Sequence, residues 1–177
     1  MTTMRRDAAR NRDRILDAAR AAREAGEALQ LNAVARRAEV GVGTVYRHFP
    51  TPEALAEGLV EHRFVELTVL ARVRIADPHA LAGLRRFLGV ALSAYAEDPA
   101  FAAASVSASP AREETRVLRA ELIEAFAALV HRAAAHLRPG LDAVDLMVLV
   151  CGLGYSVRLR PERATAYLDA LLAGVLR

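Results

Sequence analysis

The chain has 177 residues, 54% of them apolar and 5% aromatic, and its formal net charge is +3 at pH 7. No apolar run reaches the ~18 residues needed to span a bilayer, so we expect no membrane partner. The single cysteine excludes an internal disulfide and a cysteine-rich zinc site, and the absence of a secretion signal at the arginine-rich N-terminus favours a cytoplasmic location.

Positive charge is concentrated towards the N-terminus. Residues 1–50 hold ten arginines against six acidic residues, a net charge of +4, whereas residues 51–177 carry a net charge of −1. Arginines can contact DNA phosphates, which supply the salt-sensitive, sequence-independent part of DNA binding. The candidates for such contacts are Arg5, Arg6, Arg10, Arg12 and Arg14. A solvated arm is the alternative for each of them.

The many alanines and few aromatic residues predict an all-α fold. Asp77 and Asp98 each precede a proline, which places a capping side chain before the first helical position. Asp142, with Asp145 three residues later, also suits a helix start. We predict nine helices, near residues 8–25, 31–38, 42–49, 52–75, 78–96, 99–106, 110–137, 142–157 and 161–176.

Residues 30–49 predict two short helices around a tight turn. The buried face of the first helix repeats at i, i+3, i+4 and i+7 and consists of Leu31, Val34, Ala35 and Ala38. In the second helix Val45 and Phe49 share the inner side. Its outward residues are Val42, Gly43, Thr44, Tyr46, Arg47 and His48. In such a helix-turn-helix the second helix enters the major groove of DNA.

At about residues 10–60 the chain resembles the TetR family of bacterial repressors. The matching residues are Val34-Ala35, Ala38, Val40, Gly43-Thr44-Val45-Tyr46, His48-Phe49 and Glu53-Ala54-Leu55. The resemblance implies a three-helix DNA-binding head, over residues 1–57, and a helical ligand-binding and dimerisation body over residues 58–177.

The chain departs from the family pattern at three positions. Glu39 stands where the family usually has a glycine, and a positive φ there costs glutamate roughly 1 kcal/mol, so the sequence leaves open whether the turn is reshaped. Gln30 and Pro52 stand where the family often has a threonine and a lysine on phosphates. Those two contacts are therefore expected to be weakened or lost.

The resemblance and the helix geometry assign roles to the outward residues. Thr44 and Tyr46 should meet DNA through their hydroxyls, and His48 resembles the family's phosphate-contacting imidazole. Arg47 suits a bidentate grip on guanine, although the family often turns this side chain to the backbone. Val42 can touch a thymine methyl, and Gly43 allows close approach to DNA. Asn32 either reaches a base edge or caps its helix.

The family resemblance further implies a homodimer. Two apolar stripes from each subunit would form a four-helix dimer interface, and Gly154 would let the helix backbones approach each other there. The stripes are Leu146, Leu149, Val150, Leu153 and Val157 on the eighth helix, and Leu168, Leu171, Leu172 and Val175 on the ninth. Alternatively, the residues of these stripes pack only in the core of their own subunit. Two recognition helices ~34 Å apart would read the half-sites of a palindromic operator.

The resemblance also implies release by a small apolar or aromatic effector. Its expected pocket is apolar with two phenolic hydroxyls, and ordinary core packing is the alternative. The candidate walls are Phe64, Leu67, Phe87, Leu88, Tyr95, Phe101, Leu122, Phe126, Met147, Cys151 and Tyr155. The sequence does not identify the effector.

An enzyme is disfavoured by the sequence. His131 and His136 lie five residues apart on one helix, off a common metal-binding face, and no nucleophile, phosphate loop or catalytic cluster is evident. We therefore expect no metal, no cofactor and no catalysis, and predict a ligand-responsive transcriptional repressor. A helical protein-interaction module that has the same fold but has lost specific DNA binding is the alternative.

Overall fold

The computed structural model describes the backbone of residues 2–177 and the side chains of residues 6–177. Over that range the all-α prediction is confirmed. The α-helices are α1 (Thr2–Glu24), α2 (Leu31–Arg37), α3 (Val42–His48), α4 (Pro52–Ile75), α5 (Ala80–Glu97), α6 (Pro99–Val106), α7 (Glu113–Ala133), α8 (Ala143–Leu159) and α9 (Ala164–Val175). None of the helices in this described part is both long and apolar enough to cross a membrane.

Two of the predicted helix starts have the expected caps. The Asp98 carboxylate accepts hydrogen bonds from the backbone amides of Ala100 and Phe101, at 3.1 and 3.3 Å, and so begins α6. Asp142 and Asp145 exchange side-chain to backbone hydrogen bonds in a capping box that begins α8. These carboxylates satisfy amides that have no partner within the helix.

Three other helices begin later than predicted, and one of them is α9, which follows a short 3₁₀ helix at Pro161–Arg163 instead of starting at residue 161. Asp77 does not cap α5, because its carboxylate lies 3.5 Å from the guanidinium of Arg74 and 3.0 Å from that of Arg86. α7 starts at Glu113 rather than at residue 110, because the amides of Ala111 and Arg112 donate to a side chain elsewhere in the fold.

The chain forms two compact units, of which the first comprises the residues up to Val60 together with Pro110–Arg112. Its core is built by α1, α2, α3 and the beginning of α4. Its fully buried side chains include Ile15, Ala19, Val45, Phe49 and Leu55. Gly58 lies against Phe49, where a Cβ atom would stand 2.5 Å from the ring. The absence of a side chain therefore lets α4 pack onto the residue that ends α3.

The second unit comprises Glu61–Ser109 and Glu113–Arg177. α5 and α8 approach closely at Gly154, where a Cβ atom would lie 2.7 Å from Tyr95 Cβ and 3.0 Å from its carbonyl carbon. The sequence predicts that Gly154 lies in the interface between two subunits. It lies instead between two helices of the same chain.

Candidate nucleic-acid interface

The turn between α2 and α3 keeps the geometry that a glycine would give it. Glu39 has φ +51°, the left-handed region that glycine enters without strain. Its amide bonds to the Arg36 carbonyl at 3.2 Å, and the Val40 amide to the Ala35 carbonyl at 3.1 Å, which is the Schellman pattern of a helix end. The turn is therefore not reshaped by Glu39, and the chain carries the strain instead.

We expect Glu39→Gly to relieve this strain. Glu39 also accepts hydrogen bonds from Arg14, to its carbonyl at 3.3 Å and to its carboxylate at 3.2 Å, so Glu39→Gln serves as the control that removes the charge and keeps the φ angle. The glycine variant should be more stable than the glutamine variant by about 0.5–1 kcal/mol. Urea unfolding followed by circular dichroism measures the difference, and equal unfolding midpoints would contradict the strain.

α3 separates an inner from an outer face as the periodicity predicts. Val45 and Phe49 are fully buried, whereas Val42 and Arg47 are exposed and 47% of the Tyr46 surface remains accessible. Thr44 and His48 are half-buried at the sides of the helix. A Cβ atom at Gly43 would meet nothing within 4 Å. The structure thus groups the residues predicted to contact DNA on one face, and the contacts themselves stay a prediction.

Arg47 lies back along its own helix. Its Nε donates to the Gly43 carbonyl and its Nη2 to the Thr44 hydroxyl, each at 3.1 Å. The guanidinium and the hydroxyl are therefore paired with each other before any DNA is bound. To hold a guanine through two hydrogen bonds, Arg47 would have to leave Thr44.

His48 lies in a positively charged part of the first unit. Partial burial and the guanidinium groups of Arg12, Arg47 and Arg112 lower the pKa of its imidazole below the usual value. The neutral ring therefore predominates near pH 7. Because a neutral imidazole still carries one N–H donor, it remains able to bind a phosphate oxygen.

An open groove of about 440 Å³ borders the outer face of α3. It is lined by Gln30, Leu31, Asn32, Tyr46, Pro50, Thr51, Pro52 and Glu53. Gln30, not Asn32, occupies the capping position of α2, so the alternative of Asn32 as an N-cap is wrong. The Asn32 side chain is exposed, which leaves its predicted role at a base edge open.

The arginines of α1 are not equivalent. Arg10 pairs with Asp7 on its own helix, and Arg14 pairs with Glu39, whereas Arg12 lies close enough to His48 to affect its pKa. The side chain of Arg5 lies outside the described residues. Of the candidates whose side chains are described, Arg12 lies close enough to α3 to affect one of its side chains.

Arg112 is a residue that the sequence analysis missed. It lies far along the chain from α3, yet its guanidinium stands over the Phe49 ring and contacts the end of the helix. Neither periodicity nor a motif indicates this contact, because it depends on how residues 110–112 join the first unit.

Comparison with known proteins identifies the arrangement. Residues 15–59 match the family model described as bacterial regulatory proteins, tetR family. The chain is 29% identical to a TetR transcription regulatory protein from Mycobacterium vanbaalenii, with 98% of this chain and 99% of that chain covered and a TM-score of 0.54. The chain therefore resembles the TetR family over its helix-turn-helix region, residues 15–59.

Two further solved structures resemble this chain. The TetR transcriptional regulator SCO0520 from Streptomyces coelicolor is 27% identical, with 93% of this chain and 98% of that chain covered and a TM-score of 0.57. SmeT, the repressor of a Stenotrophomonas maltophilia multidrug efflux pump, matches in its complex with triclosan at 21% identity, 94% and 92% coverage and a TM-score of 0.61. No curated protein matches the chain.

Most of the residues predicted to contact a ligand pack against one another in the second unit. Ring centroids lie 4.8 Å apart for Phe64 and Phe101 and 4.7 Å apart for Phe87 and Phe126. The remaining buried candidates are Leu67, Leu88, Tyr95, Leu122 and Met147. The structure therefore shows these side chains as a closed core.

Two polar candidates differ from the rest. Cys151 is half-buried, its Sγ donates to the Ala102 carbonyl at 3.4 Å, and burial raises the pKa of its thiol. Tyr155 is 58% exposed, with the Arg158 guanidinium 5.3 Å from its ring. α8 turns the Tyr155 side chain outward, away from the buried candidates, and a ligand contact of Tyr155 stays a prediction.

The predicted dimer stripes face mainly inward. The buried members are Leu146, Val150, Val157, Leu168, Leu172 and Val175, whereas Leu153 and Leu171 are half-buried. Only Leu149 is exposed. The buried members of the two stripes therefore pack in the subunit's own core, because α8 is apolar on both sides and a helical repeat alone does not show which side faces inward. Dimer contacts of Leu149, Leu153 and Leu171 stay a prediction. We call the outward side of α8 the outer α8 face; its exposed apolar residues are Val144, Val148, Leu149, Tyr155 and Leu159.

Proposed function

We propose that this protein is a TetR-like, ligand-responsive transcriptional repressor that binds a palindromic operator as a homodimer. The observation that carries the proposal is α3, which holds hydroxyl, guanidinium and imidazole groups outward over the buried anchors Val45 and Phe49. A short helix of this kind fits the major groove, and the net positive charge of residues 1–50 favours approach to phosphates. A cytoplasmic location accords with this role, because operator DNA lies there.

The outer α8 face supports the dimer. Val148 is 52% exposed in the middle of α8, and its apolar neighbours follow at helical spacing. Small exposed residues occupy one side of α9, which would allow two copies of these helices to approach closely: Ala166, Ala170, Ala173 and Gly174. Pairing through a two-fold axis would place the same patch of each subunit in contact.

A small apolar or aromatic molecule is the proposed effector. The aromatic core around Phe101 offers ring faces and one buried phenol, Tyr95, whose pKa is raised by burial so that it stays neutral. Such a ligand would have to open this closed core. It can only release DNA if it binds the opened state more tightly than the closed one. SmeT, a protein of similar fold, is seen with triclosan.

Thr44→Ala and Tyr46→Phe should each weaken operator binding by about 5–10-fold. Each change removes one hydroxyl hydrogen bond, a loss of about 1 kcal/mol or slightly more. The operator is first selected from random duplexes by the purified protein, and affinities are then measured by fluorescence anisotropy. Thr165→Ala is the control, because Thr165 lies on α9 away from the side formed by its small exposed residues, and we expect its affinity to be unchanged. Unchanged affinity in both α3 variants would reject the assigned face.

A salt titration separates the proposal from the protein-interaction alternative. A DNA-binding repressor should lose affinity for its operator steeply, with a constant log–log slope, as salt rises from low to moderate concentration. An interaction module would select no duplex and bind DNA poorly at every salt concentration. That result would reject the proposed function.

A further inference from the structure

Residues 110–112 belong to the first compact unit, although they follow α6 and precede α7 in the chain. The Glu57 carboxylate holds this segment by its backbone: Oε1 accepts from the Ala111 amide at 2.7 Å and Oε2 from the Arg112 amide at 3.0 Å. Glu57 is itself buried. Charge-assisted hydrogen bonds in a buried setting are among the stronger ones in proteins, so the segment is firmly attached.

The attached segment delivers one side chain to the end of α3. Arg112 is only 8% exposed, and its Nη1 donates to the His48 carbonyl at 3.1 Å. Its guanidinium carbon lies 4.8 Å from the centre of the Phe49 ring. The last carbonyls of a helix lack partners within the helix, and a cation there also suits the helix dipole. Arg112 thus caps the C-terminal end of α3, the helix that carries the side chains predicted to face DNA.

We infer that Arg112 and Glu57 are positioning residues for DNA recognition, with Glu57 holding residues 110–112 and Arg112 fixing the C-terminal end of α3. This inference rests on the proposed function. Neither residue needs to touch DNA. They act by keeping Tyr46, Arg47 and His48 in one orientation, so that the ordering of α3 does not have to occur during binding.

Hydrogen exchange without DNA tests the first half of the inference. Arg112→Met keeps an unbranched side chain of similar length but removes the charge and the donors, and Glu57→Gln keeps the shape but loses one acceptor. In both variants we expect amide exchange at residues 45–49 to be about tenfold faster than in the wild type. Arg116→Met is the control: Arg116 is exposed on α7 and pairs with Glu113. Unchanged exchange in both test variants would overturn the inference.

Operator affinity tests the second half and distinguishes positioning from phosphate contact. Arg112→Met should weaken binding by about tenfold, the size expected for one lost charged hydrogen bond, with the salt slope unchanged. Arg12→Met, which removes a candidate phosphate contact, should instead reduce the slope by about one. Arg112→Lys, which keeps the charge without the planar group, should lie between wild type and Arg112→Met. A reduced slope in Arg112→Met, or faster exchange with unchanged affinity, would overturn the inference.

The two proposals fail in different ways. A wild-type protein that selects no operator rejects the proposed function, while the exchange experiment still decides whether Arg112 and Glu57 fix the end of α3. If Arg112→Met does not fold, Glu57→Gln and Arg112→Lys carry the same comparisons, because both keep most of the original side-chain volume.

Discussion

Gly154→Ala should destabilise the second unit by about 2–3 kcal/mol, the range for overpacking a closely fitted interior. The added Cβ atom would lie 2.7 Å from Tyr95 Cβ, 3.0 Å from the Tyr95 carbonyl carbon and 3.2 Å from the Ala96 amide nitrogen. Two of these three atoms belong to backbone, so α5 and α8 must separate to accept the methyl group. Thermal unfolding followed by circular dichroism should show a melting temperature lower by roughly 5–10 °C.

Gly89→Ala is the matched control within α5. The nearest atom to its added Cβ is Leu168 Cδ2 at 3.6 Å, which is ordinary van der Waals contact. Alanine favours the helix interior over glycine by about 1 kcal/mol, so this variant should be equally stable or slightly more stable than the wild type. If Gly154→Ala behaved like Gly89→Ala, the close approach of α5 and α8 would be wrong.

Val148→Glu should dissociate the proposed homodimer and reduce operator affinity by roughly 100-fold or more, because two linked reading heads bind far more tightly than one. Val148 is 52% exposed in the single chain, so the substitution costs little in folding. In the dimer, by contrast, it would bury a carboxylate at the centre of the outer α8 face without a partner. Sedimentation velocity measures the oligomeric state, and anisotropy measures the affinity.

Val69→Glu on α4 provides the comparison. Val69 is 54% exposed and has the same side chain, but it does not lie on the outer α8 face. We expect this variant to remain dimeric and to bind the operator as the wild type does. If Val69→Glu dissociated the dimer and Val148→Glu did not, the dimer interface would lie on α4. That result would reject pairing through α8.

The helix-turn-helix could be predicted well because its signals are local. The inner faces of α2 and α3 follow from a helical repeat, and Val45 and Phe49 are buried as that repeat requires. The effect of Glu39 was less predictable. Its φ of +51° shows that hydrogen bonds around the turn, together with the Arg14 contacts, outweigh the local preference of a glutamate.

The orientation of α8 could not be predicted by the same reasoning. Apolar residues occur on both sides of this helix, so the hydrophobic repeat alone does not show which side is buried in the subunit. The decisive residue is Gly154, which turns its side of the helix towards Tyr95 and thereby exposes Val148 and Tyr155. A glycine in the sequence indicates close approach, but not the helix that approaches.

Contacts between segments that are distant in sequence account for the late starts of α5 and α7. Asp77 precedes a proline as a helix cap often does, but its carboxylate pairs with Arg74 and Arg86 instead. Likewise, the late start of α7 depends on Glu57, more than fifty residues earlier in the chain. Ion pairs and backbone hydrogen bonds at such separations leave no periodic pattern in the sequence.

The attachment of residues 110–112 has a consequence for protein engineering. A fragment that ends after Val60 would contain α1, α2, α3 and the beginning of α4. It would lack Arg112, which contacts His48 and Phe49. Chimeras that graft this head onto another regulator's body should therefore carry a compatible arginine in the corresponding loop. Grafts without it would retain the recognition side chains on a helix whose last turn frays.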